Sequence, residues 1–285
     1  MFVYILQRLI KIHFENQYQR FLKDASILAY CLLLIVSLLI GQYVFSQTYE
    51  SAYYDLRRTV YNSNSTNEKS VIEKYEQALS ILNNDNSLNK NIEKSKCDYL
   101  MGLFYMDIEN NTTATEFFQT SMDLALEEIQ IKETVQGYLA YAESLAQICT
   151  LKPTGYVIAN GLKVGKFAKK ALKLDNHLGA ARYLICSIIA YGPVPFRNFS
   201  KAEKIYLEIL EKDNLDEEDC FNIYVSLGYI HYQKKEYTEA DKWFNLAAKI
   251  YPYNKFLQSM QTREYKKNDF ITVDVEPIID NMLED

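Results

Sequence analysis

Glycine and proline are scarce in this chain of 285 residues, at 9 and 5. A sheet-rich protein needs many tight turns and carries more of both, so the shortage points to helices. Histidine is rarer still, at 3, and no His-Glu-x-x-His stretch occurs. Cys31, Cys97, Cys149, Cys186 and Cys220 form no Cys-x-x-Cys pair, so no metal site is assigned. Blocks of basic charge are also missing. Net charge is −6 with Lys and Glu intermixed, whereas a phosphate backbone demands a basic face, which argues against nucleic acid as the main partner. No nucleophile–base–orienter trio stands out, so no catalytic residue or cofactor is assigned and the chain reads as a non-enzyme. The nearest approach to a phosphate loop is "GLKVGKF" at 161–167. It is one residue short of the required spacing, with Phe167 where Ser or Thr must hold magnesium. The simpler reading is a long helix with Gly155, Gly161 and Gly165 at close helix contacts. "DEED" at 216–219 suits carboxylates at a helix start better than a cation site, since the helix dipole favours them there.

Apolar residues, by contrast, make up 48% of the chain, and Tyr alone numbers 24. No charge falls between Ala25 and Tyr49. Within that stretch, "ASILAYCLLLIVSLLIG" at 25–41 is nearly unbroken apolar sequence, with Arg8, Lys11, Arg20 and Lys23 upstream as the side expected to stay in the cytoplasm. Val44 and Ser46 occupy the −3 and −1 positions of a signal-peptidase cut. Residues 25–46 are therefore a cleaved signal or an uncleaved anchor, with a buried core helix as the bland alternative. Either favoured reading exports residues 47–285. The organisation expected is a basic leader at 1–24, the signal or anchor at 25–46, a helical domain at 47–268 and an acidic tail at 269–285. Among the outer cysteines, buried free thiols are expected rather than disulfides. "NST" at 64–66 and "NFS" at 198–200 fit glycan acceptors in a secretory system that uses them.

The helical domain repeats itself. From Phe221, Tyr224, Leu227, Gly228, Ala240, Phe244, Ala247 and Pro252 fall at positions 4, 7, 8, 20, 24, 27 and 32 of a unit of about 34 residues. His231 stands where Tyr is usual. From Ser95, Gly102, Tyr105, Ala114, Phe118 and Ser121 fall in the same register. A third unit holds Tyr138, Tyr141, Ala142 and Leu145, then Ala168 and Ala171. A fourth holds Tyr183, Cys186 and Ser187, then Ala202 and Tyr206. A degenerate first unit spans 47–83, with Val71, Tyr75 and Ala78. The spacings between units starting at 95, 135, 180 and 221 all exceed the consensus, and the excess is expected in inter-helix loops. Ser70–Glu73, Thr113–Glu116, Ser200–Glu203 and Thr238–Asp241 are expected to be capping boxes that open the second helices. A closing helix is expected near 254–266, its basic Arg263, Lys266 and Lys267 at the C-terminal end.

This pattern resembles the tetratricopeptide repeat, specifically an exported or membrane-associated bacterial-type member. The resemblance implies an all-α fold, a right-handed α-α superhelix (solenoid) of about five helical hairpins. Small residues let the paired helices approach, and Leu and Phe fill the space around them. It further implies a concave groove lined by first helices. Carried over, the second unit offers Lys96, Tyr99, Leu103, Met106 and Asp107. The third offers Gln136, Leu139, Glu143, Gln147 and Ile148. The fourth offers Leu184, Ile188 and Tyr191, and the fifth Asn222, Val225, Tyr229, Tyr232 and Gln233. The clamp that holds a C-terminal carboxylate in some members is absent, since position 9 reads Leu103, Glu143, Ile188 and Tyr229. The expected function is an adaptor that binds a protein or peptide partner outside the cytoplasm, held at the membrane through residues 25–46 if they stay uncut. The alternative is a periplasmic component of a solute or lipid uptake system that binds an apolar small molecule, similar to the tetratricopeptide component accompanying some bacterial transporters.

Overall fold

Small residues at fixed intervals let one helix lie almost on the backbone of the next, and the chain uses this twice in the same way. In the computed structural model, which describes residues 48–63, 67–192 and 197–263, a Cβ on Gly102 would lie 2.5 Å from the ring of Phe118. A Cβ on Gly228 would overlap the ring of Phe244 in the same manner. Ala114, Ala240 and Ala247 are fully buried beside these rings. The close approach expected from the sequence is therefore real, and the missing side chain is its cause.

Eleven helices and no strand occur among the described residues. They are α1 Tyr49–Tyr61, α2 Glu68–Asn84, α3 Lys90–Asp107, α4 Asn111–Ile131, α5 Val135–Leu151, α6 Thr154–Leu174, α7 Gly179–Tyr191, α8 Phe199–Lys212, α9 Glu217–Gln233, α10 Tyr237–Ile250 and α11 Lys255–Gln261. Each helix packs on its successor, which makes five antiparallel pairs and a closing helix. The first helices α1, α3, α5, α7 and α9 also touch one another in order, and α9 touches α11. The basic leader, the apolar run at 25–46 and the acidic tail lie outside the described residues, as does the "NST" stretch. No described helix is long and apolar enough to cross a membrane.

Two of the turns between paired helices are copies of each other. Glu109 and Lys235 both adopt left-handed backbone, with φ of 67° and 64°. In each turn the amide one residue further on reaches back, Asn110 N to Tyr105 O and Glu236 N to His231 O, both at 2.9 Å. This is the Schellman arrangement with a residue other than glycine at its strained position. Buried polar groups at two of the crossings are satisfied locally, whereas the buried Tyr206 hydroxyl between α7 and α8 has no hydrogen-bond partner among the described residues. Ser121 Oγ lies 2.8 Å from Ser144 Oγ and bonds the Ser95 carbonyl at 2.8 Å. His231 fills the position usual for Tyr, with Nδ1 2.6 Å from Glu236 Oε2.

Four expectations need correction. The hydroxyls of Ser70, Thr113, Ser200 and Thr238 do not cap, because the helices begin before them. Asn110 and Asn198 cap α4 and α8, with side chains that accept from Thr113 N and Lys201 N. Neither α2 nor α10 has a side-chain cap bond. A capping box does form, but at a first helix, between Asp216 and Asp219. In the second and third units the extra length sits mainly in the helices, α4 and α6 each running 21 residues, whereas in the fourth, with helices of 13 and 14 residues, it lies between them as expected. The closing helix is shorter than expected, at 7 residues, and Arg263 lies beyond it. "GLKVGKF" is wholly helical within α6, but Gly155 has nothing nearby and Gly161 meets only Val157 of its own helix. Those two glycines permit no close contact.

Substitution of the glycines should separate these roles. Gly228→Ala should destabilise by about 1–3 kcal/mol, because the new methyl displaces the packed ring of Phe244. Gly161→Ala should stabilise by up to about 1 kcal/mol, the propensity gain of an open helical site. Urea midpoints of the two variants should move in opposite directions.

Candidate binding face

The first helices carry the groove residues expected from the sequence, and the structure sorts them into two sets. Leu184, Val225, Tyr229 and Ile148 are buried by the chain's own side chains. Tyr229 stacks on Tyr191 at 4.7 Å and meets Phe199 edge-on. Leu139 packs on the cluster of Tyr138, Ala142 and Ala168, while Leu103 and Met106 pack around Ile148 and Phe118. These residues join one hairpin to the next. Gln136 is exposed, and Asn222, Ile188 and Gln233 are half-buried. Tyr232 lies by the turn of the fifth hairpin, with Tyr237 at 5.8 Å and the Arg263 guanidinium at 5.5 Å. The Asp107 carboxyl is raised to about 6 by burial, against the pull of Lys255.

Lys96, Tyr99, Glu143 and Gln147 form the second set and do converge. Gln147 Nε2 donates to Tyr99 Oη at 3.3 Å, linking α5 to α3. Lys96 Nζ sits 4.6 Å above the Tyr53 ring, linking α3 to α1. It also bonds Glu93 at 2.7 Å. The Glu143 carboxyl is pushed well above the usual range by burial first, then by the negative charges of Glu218, Asp219 and Asp216. Lys96 opposes that shift. Among the described residues no hydrogen bond reaches Glu143.

The charges felt by Glu143 belong to α9, and α1 explains their presence. Arg57 on α1 is 4% exposed. Its Nη1 donates to Asp216 Oδ2 at 2.6 Å and to Glu218 Oε2 at 3.2 Å. Tyr61 Oη donates to Glu218 Oε1 at 2.6 Å. The Tyr61 ring stacks on Tyr251 at 4.5 Å and meets Phe221 edge-on at 5.5 Å. Just past α1, Asn62 Oδ1 accepts from Tyr253 N at 3.1 Å. The first hairpin is thus bound to the fifth. Midway along α9, Ser226 Oγ pairs with Tyr191 Oη at 2.9 Å. Contacts therefore run from α1 through α3, α5, α7 and α9 and back to α1.

The acidic start of α9 does two jobs there. Asp216 caps the helix and receives Arg57, while Glu218 holds Arg57 and Tyr61. Arg57 and Tyr61 pull the Glu218 carboxyl down, but burial outweighs them and leaves it raised. Asp219 is raised to about 7 by burial and by Asp216. Sequence reasoning missed Arg57, Tyr61, Tyr53, Glu218 and Asp219 as partners. They meet across sequence separations that no local pattern encodes.

No group of three or more His, Cys, Asp or Glu among the described residues is placed to hold a metal ion. Cys97, Cys149, Cys186 and Cys220 are free thiols. Cys97 and Cys186 are fully buried, and burial pushes each thiol up to about 12. No protein-family model matches this sequence, and no curated protein is significantly similar to it.

Two measurements test the closure. Arg57→Met leaves Glu218 buried without its cation, so it should cost about 3–5 kcal/mol in denaturant unfolding. The pH dependence follows from the raised carboxyls. A carboxyl whose folded pKa exceeds its unfolded value contributes stability that is fully present below the unfolded value and is lost as pH rises through the folded one. With Asp219 at about 7 and Asp107 at about 6, the thermal midpoint should climb as pH falls from about 8 to about 5. Asp219→Asn should flatten that climb.

Proposed function

We propose that the chain is a non-enzymatic tetratricopeptide-like module, a right-handed superhelix of five hairpins exported or anchored by residues 25–46, which binds a protein or peptide partner on its inner face. The observation that supports this reading is the second set of side chains. Lys96, Tyr99, Glu143 and Gln147 remain half-buried and polar, although the neighbouring positions of the same helices are consumed by packing. An acidic interior with tyrosine rings around it favours a partner segment that brings a Lys or Arg side chain. A cation over an aromatic face and beside a carboxylate is stabilised on both counts.

A second reading is favoured by one observation. The first hairpin is bonded to the fifth, and a closed ring of hairpins would suit a small ligand of an uptake system better than a folded partner. The carboxylates turn that reading from a neutral apolar molecule toward an organic cation.

Capture of partners by the tagged full-length chain, compared with Glu143→Gln and Lys96→Ala, tests both. The first reading expects capture of a defined protein to fall at least about tenfold in Glu143→Gln, the scale of one lost charged hydrogen bond. Undiminished capture by both variants ends the inner-face assignment. Native mass spectrometry that finds a bound organic cation, lost in Glu143→Gln, with no protein captured, supports the second reading instead.

A further inference from the structure

The outer helices of the second and third hairpins carry opposite charge. Helix α4 holds Glu116, Asp123, Glu127 and Glu128 and no Lys or Arg. Helix α6 holds Lys163, Lys166, Lys169, Lys170 and Lys173 and no Asp or Glu. Glu116, Asp123 and Glu127 are exposed, and so are Lys163, Lys166 and Lys173. None of these six makes an ion pair with another described residue. At a rise of about 1.5 Å per residue, the acidic stripe is roughly 16 Å long and the basic stripe roughly 15 Å.

Both stripes flank the same face of α5. The Tyr141 ring stacks on Phe167 of α6 at 4.0 Å, and its hydroxyl feels Asp123 of α4. Lys170 Nζ of α6 lies 4.8 Å over the Tyr138 ring. Leu162 and Leu174 at the basic stripe are about half exposed, and Ile131 at the end of α4 is 77% exposed. A bilayer or nucleic acid attracted by α6 would meet the carboxylates of α4 beside it. A surface with both signs at matched length fits a partner carrying the same two signs in reverse.

We propose that this face pairs with its counterpart on a second copy of the chain. A twofold axis running along α5 sets α4 of one copy against α6 of the other, in parallel, and repeats the contact on the opposite side. Each exposed ion pair adds little, so the association is weak and salt-sensitive, with Leu162, Leu174 and Ile131 as its apolar rim.

The test uses two differently tagged full-length copies, expressed together and captured through one tag. Wild type should capture wild type, less so as salt rises. Lys163→Glu/Lys166→Glu/Lys173→Glu should lose self-capture by about tenfold or more, as should Glu116→Lys/Asp123→Lys/Glu127→Lys, because like charges then oppose. The two variants expressed together should capture each other, since one of the two contacts is restored with its signs exchanged. All six positions are exposed, and unchanged helicity by circular dichroism confirms folding. Self-capture unaffected by either reversal, or absent in wild type, overturns the proposal. So does loss of sedimentation with phosphatidylglycerol vesicles in the Lys→Glu variant while its self-capture persists, which would make the stripe a lipid surface.

Discussion

An aromatic ring lying against a bare Cα sets the geometry on which this molecule rests. Where Gly102 faces Phe118 and Gly228 faces Phe244, the paired helices approach more closely than any side chain on the glycine would allow. In these two hairpins that approach buries Ala114, Ala240 and Ala247 beside the rings. Each hairpin is amphipathic on both sides of the crossing and cannot bury its apolar surface alone. Stacking of successive first helices then follows from the same demand.

Closure adds a second, electrostatic constraint. Arg57 is buried and needs acceptors, and the acidic start of α9 provides them while also capping its own helix. The arrangement is costly to break rather than strongly stabilising in itself, as buried ion pairs generally are. Its by-product is a cluster with more negative than positive charge. Glu143 lies within that field without a cation of its own, held partly in check by Lys96. The surroundings of Glu143 are therefore chemically distinct from the hairpin contacts beside them, although both are built from the same helices.

Much of the helical framework was legible in the sequence, because the pairing rule is local. Gly102, Phe118, Gly228, Phe244 and the alanines at fixed spacing identify the crossings, and the low glycine and proline content excludes a sheet. His231 as a packed, bonded residue was legible for the same reason. The helix starts were misread because a hydroxyl three residues before a carboxylate also occurs inside a first turn. The asparagines just upstream, Asn110 and Asn198, carried the better signal. Repeat length misled similarly, since a longer unit says nothing about whether loop or helix has grown. The cluster around Glu143 was legible only in part. Lys96, Tyr99, Glu143 and Gln147 follow from position within the repeat, whereas Arg57 and Tyr61 find Glu218 only once five hairpins have stacked. Leu184, Val225 and Tyr229 show the converse: a position pattern cannot tell a side chain that faces a ligand from one that seals two hairpins.

The bond between the first and last hairpins also limits what this architecture can become. An open row of helix pairs frays from either end and tolerates the gain or loss of a member, because each unit answers only to its neighbours. Here Arg57 and Tyr61 reach Glu218 only if the intervening units number what they do, so duplication or deletion of one pair would strand a buried guanidinium. Unfolding should accordingly be shared across the row instead of beginning at its margins, and divergence should proceed by changing side chains while the count of units stays fixed.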